Sequence, residues 1–69
     1  MNPQDFIGLE AMVDSYGLEG VLFALSDICS EKADHVQTNW QDNALAKQWK
    51  RRRTACNKAG DTVKAIQVC

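Results

Sequence analysis

The sequence predicts an all-α fold, a three-helix bundle in which a short first helix folds across two long antiparallel ones. Three observations predict it. Apolar residues recur at steps of three and four through most of the chain, whereas no stretch alternates apolar and polar residues for the length of a strand. No Asn-Gly or Asp-Gly pair offers a hairpin turn, and the one proline, Pro3, stands at the very start. With 69 residues, no internal repeat and no low-complexity linker, the whole span 1–69 reads as a single helical domain.

The first helix is expected over about residues 3–16. Asn2 can accept from the unpaired N–H groups of a first turn, Pro3 loses no needed donor there, and Asp5 adds a favourable negative charge. Phe6, Leu9, Val13 and Tyr16, with Met12 beside them, give one apolar face, and Gly17 followed by Leu18 has the form of a glycine stop.

The second helix is expected over about 19–37, on the seam Leu18, Leu22, Leu25, Cys29, Lys32 and Val36, widened on one side by Val21 and Ile28. Asp27, Glu31 and Asp34 fall almost opposite. Phe23 lies off the seam, so it is either covered by the first helix or an aromatic anchor for a partner. The connection Thr38 to Asp42 offers Thr38, Asn39 and Asp42 as alternative caps, with Trp40 expected as a lid over the bundle end.

The third helix follows Leu45, Trp49, Arg52, Cys56, Ala59, Val63 and Ile66. That continuity favours a helix running through Gly60; the alternative is that Gly60 ends it and Asp61 caps a last short helix. Arg52 and Lys32 put cations on the two seams. Each is expected to reach an acid such as Glu31 or Asp14, or the bundle edge, because an unpaired buried charge is too costly.

Charge is divided between the halves. Residues 1–42 hold eight acids and the single base Lys32, near −7, while residues 43–69 hold seven bases and the single acid Asp61, near +6. The run Lys50-Arg51-Arg52-Arg53 is spread around its helix. Only Lys50 and Arg51 join Lys47 and Lys58 opposite the seam, with Arg53 and Lys64 flanking. This basic back is a solvated face or a surface for phosphate or an acidic protein. A sequence pI of about 5.6 weighs against DNA, and no helix-turn-helix reader is visible.

No chemistry is legible. Three cysteines, Cys29, Cys56 and Cys69, cannot all pair and show neither redox nor zinc spacing, so reduced thiols are expected, with Cys69 exposed at the end. Asp27, Glu31 and His35 form a helical row with one imidazole, which reads as a solvated row and not as a metal site. No glycine-rich phosphate loop or nucleophile elbow occurs, so no catalytic residue and no cofactor is assigned. No apolar run spans a membrane and MNPQDF lacks the basic start of a secretory signal, so a cytoplasmic protein is expected. A core this small seldom supplies more than about 3–5 kcal/mol, which makes self-association into a dimeric bundle the expectation.

The residues Tyr16-Gly17-Leu18, Glu31-Lys32-Ala33, His35 and Asn39-Trp40-Gln41-Asp42, continuing to Trp49, resemble a set of short uncharacterised helical proteins of bacteria and their phages or mobile elements. The resemblance covers roughly residues 9–49. It implies a context: a small protein inhibiting a host system by occupying a surface. The sequence reading is therefore a noncatalytic interaction module with a protein partner, its candidate contacts being Lys47, Lys50, Arg51, Arg53, Lys58 and Phe23. The alternative is a small nucleic-acid-binding regulator using the same basic face.

Overall fold

The computed structural model describes residues 1–66, which form two helices and not three. Helix α1 runs Pro3–His35, continues as a π-helical turn Val36–Trp40, and is joined by Gln41 and Asp42 to helix α2, Asn43–Ile66. The Asn2 side chain accepts from the Asp5 N–H at 2.7 Å, and Pro3 takes the first helical position.

Gly17 is where the expected bundle is corrected. Its backbone leaves the helix at φ 80, ψ 157, a conformation essentially reserved to glycine, but helical hydrogen bonding resumes at once. Residues 3–16 are thus an arm of α1 beyond a one-residue break. They do not fold back across the helix pair: every residue from 1 to 16 is exposed except half-buried Val13. The radius of gyration is 14.1 Å, with extents of 43 × 30 × 15 Å, against about 11 Å for a compact chain of this length.

The core lies between residues 18–36 of α1 and α2, and it is made of small side chains. Ser26, Cys29 and Ala33 are buried on α1, and Ala46 and Gly60 on α2. Among the described residues no large side chain is fully buried. Interaxial distance depends on the side chains at the contact, so Ser, Cys, Ala and Gly let these backbones approach closely. Close approach is visible at two points. The Ser26 hydroxyl donates to the Arg53 carbonyl at 3.1 Å, and a Cβ on Gly60 would stand 2.7 Å from Cε1 of Phe23.

This packing rotates α1 only part of the way from its expected seam, of which Cys29 is buried and Leu22 and Val36 are half-buried. The buried line passes through Ser26, Cys29 and Ala33, roughly 70° around the helix from the line through Leu18, Leu25 and Lys32, at about 100° per residue. Leu18, Leu25, Ile28 and Lys32 are consequently exposed. On α2 the expected seam holds better. Leu45, Trp49, Cys56, Ala59 and Val63 are half-buried, while Arg53 replaces Arg52 and Ile66 is exposed. Helix α2 is continuous through Gly60, as its periodicity favours.

At the connection, the Asp42 carboxylate accepts from the Leu45 N–H at 3.0 Å, which makes Asp42 the cap of α2. Gln41 takes the left-handed conformation at φ 52, ψ 31. The widened π turn leaves Trp40 73% exposed, so it is not the expected lid.

Candidate functional site

Three surfaces carry groups able to bind something. The first is the back of α2. Lys47, Lys50, Arg51 and Lys58 are all exposed; Lys47, Arg51 and Lys58 lie opposite Trp49, Cys56 and Gly60, which face α1, and Lys50 lies on the flank beside them. A single uninterrupted helix therefore presents four cations over about 16 Å of its length, at about 1.5 Å per residue. Arg53, grouped with them by sequence, is drawn into the helix contact. It is half-buried, and its carbonyl receives the Ser26 hydroxyl.

Phe23 is likewise drawn inward. Its ring rests on Gly60, so α2 covers it, and neither the first helix nor a partner is required to do so. The missing cue was size: a ring off the leucine seam faces the one position where the opposite helix has no side chain.

The second surface is an open cleft of about 530 Å³ near the helix connection, lined by Glu31, Lys32, His35, Val36 and Trp49. The two seam cations meet here. Lys32 Nζ stands 5.7 Å and the Arg52 guanidinium carbon 4.6 Å from the centre of the Trp49 ring. Of the two expected outcomes, a carboxylate partner or the bundle edge, both cations take the second: Lys32 and Arg52 are exposed and lie against the Trp49 ring. The indole face supplies the negative quadrupole, an attraction of about 0.5–1 kcal/mol at exposed sites. Asn39 Nδ2 lies 2.9 Å from His35 Nδ1, one turn of the helix away.

The third surface is apolar. Phe6, Leu9, Glu10 and Val13 line a shallow groove of about 230 Å³ on the arm, beside exposed Met12 and Tyr16. Beyond Gly17, Leu18, Leu25 and Ile28 are exposed as well. The sequence pattern places these last three against the third helix or beside its seam, and so hides them as surface.

Chemical groups are otherwise sparse. Burial and the neighbouring Cys29 thiol push the Cys56 thiol above its ordinary range, which keeps it protonated and weakly nucleophilic at neutral pH. Cys69 lies outside the described residues. Among the described residues no three His, Cys, Asp or Glu side chains converge as metal ligands, and no helix is long and apolar enough to cross a membrane. The chain matches no family model, no curated protein and no solved structure.

Proposed function

We propose that this chain is a noncatalytic interaction module that binds an acidic surface of another protein through the basic back of α2. The reading rests on one observation: Lys47, Lys50, Arg51 and Lys58 are exposed together on the side of α2 that its packing against α1 leaves open. Helical periodicity aligns them, and a rigid helix holds them in register without ordering a loop on binding. Charge complementarity of this kind steers encounter and selects partners more than it adds raw affinity. The resemblance to small phage and mobile-element proteins supplies a role for such binding, stoichiometric inhibition of a host system by covering one of its surfaces.

Recovery of partners from a native-host lysate tests the reading. The wild-type chain is expected to retain a protein that the double variant Lys50→Glu, Arg51→Glu loses. A protein retained equally by both removes the basic back from the interface.

A second reading keeps the same residues and changes the partner. Four cations within about 16 Å also suit a run of phosphates. Nucleic-acid retention that falls linearly with log salt, and disappears in the double variant, would select it; no retention at low salt eliminates it. The overall charge of −1, with eight acids in residues 1–42, favours the protein partner.

A further inference from the structure

Among the described residues nothing covers the apolar side chains along the outside of α1. On the arm, Phe6 is 59% and Tyr16 72% exposed, although they share a face with Leu9 and Val13. Past Gly17, Leu25 and Ile28 are 39% and 45% exposed, about a quarter-turn from the buried line of Ser26, Cys29 and Ala33. Phe6, Leu9, Met12, Tyr16, Leu18, Leu25 and Ile28 thus stay exposed on one helix, and exposed apolar side chains in such number mark a protein interaction surface.

Spacing identifies what fits the face. Phe6, Leu9, Val13 and Tyr16 advance by three, four and three residues; Leu18, Val21, Leu25 and Ile28 advance by the same steps. The two sets are therefore mirror-ordered about Gly17. If α1 of a second copy lies antiparallel with Tyr16 opposite Leu18, then Val13 falls opposite Val21, Leu9 opposite Leu25 and Phe6 opposite Ile28. The step of two from Tyr16 to Leu18 would break the stripe in a regular helix, and it falls at Gly17, where the backbone leaves the helix. The same register sets Asp5, Glu10, Asp14 and Glu19 opposite Cys29, Ala24, Gly20 and Ser15, so no carboxylate meets another. Such a face is self-complementary about a two-fold axis, the property an isologous dimer requires.

We infer that a second copy of this chain covers the outer face of α1, the arm of each copy lying on Leu18, Val21, Leu25 and Ile28 of the other about a two-fold at Gly17. This pairing is independent of the basic back of α2. It explains why a chain with so little internal core carries large apolar residues on the outside.

Sedimentation of the intact chain and of two exposed-site variants decides it. The wild type is expected to sediment as a dimer at high micromolar concentration, and a strict monomer there overturns the inference. Leu9→Lys and Leu25→Glu should each be monomeric with helical circular dichroism retained. An equimolar mixture of the two should dimerise again, because Lys at position 9 of one copy meets Glu at position 25 of the other while the second pair stays Leu on Leu. A mixture that stays monomeric, or single variants that stay dimeric, rules out the arm-on-stripe pairing. Phe6→Lys with Ile28→Glu repeats the exchange at the outer ends, and decides between the same two outcomes should either leucine variant lose its helicity.

Discussion

The two stretches of α1 on either side of Gly17 are written in the same pattern and meet different fates. Residues 3–16 repeat apolar side chains at helical spacing and bury almost none of them. Residues 18–35 do the same, yet bury Ser26, Cys29 and Ala33 and leave Leu18, Leu25 and Ile28 outside. Periodicity makes both stretches helical; side-chain size at the contact, more than hydrophobicity, chooses which side of the second stretch meets α2. The outward sides then read as surface for association, and the inward side as a close helix contact.

The same charge placed on the inner and outer sides of α1 should have very different effects. Ala33→Asp puts an unpaired carboxylate at a site 1% exposed, and is expected to cost about 3–5 kcal/mol, enough to unfold a domain of this size in a thermal melt. Ile28→Asp, about one and a half turns away on the outer side, should cost the isolated fold under about 1 kcal/mol while weakening association. Equal losses from the two would show that the inward and outward sides are misassigned.

Gly60→Val comes next. Its side chain must displace the Phe23 ring, whose nearest carbon would lie 2.7 Å from the new Cβ; the expected loss is about 1–3 kcal/mol in denaturant unfolding. Phe23→Ala in the same background should recover part of it, since the ring is what the valine meets. An unchanged midpoint for Gly60→Val would separate the helices at that level.

The helix caps give a smaller and more local contrast. Asp42→Ala removes the acceptor for the Leu45 N–H and should cost about 1 kcal/mol of cooperative stability. Asn2→Ala removes the equivalent bond to the Asp5 N–H, but on the arm. Amide exchange should therefore accelerate near residues 3–6 while the melting midpoint of dilute monomer hardly moves. Ser26→Ala is expected to cost about 1 kcal/mol or less, because the Arg53 carbonyl it leaves remains within the helix ladder.

Much of this was legible in the chain. The Asn2-Pro3 start, the continuity of α2 through Gly60 and the exposure of Lys47, Lys50, Arg51 and Lys58 follow from capping chemistry and helical spacing. The rest was not, for reasons that can be named. A leucine seam is the natural reading of Leu18, Leu22 and Leu25, and nothing local reveals that Ser26 and Ala33 are buried instead, with Ser26 against the Arg53 carbonyl. Lys32 and Arg52 each look like a seam cation in want of a carboxylate or the bundle edge; that both end over the Trp49 ring depends on two helices meeting. Trp40 looks like a lid until the π turn before Gln41 carries it outward.

An all-helical chain, its Asn2-Pro3 start and its division of charge follow from the sequence, because they depend on residue types and on neighbours within a turn. Tertiary structure decided how many helices the chain forms, which side of α1 is core and which side remains open. Those outcomes depend on how closely two backbones approach, and that distance is set jointly by side chains far apart in the chain, Phe23 against Gly60 and Ser26 against Arg53.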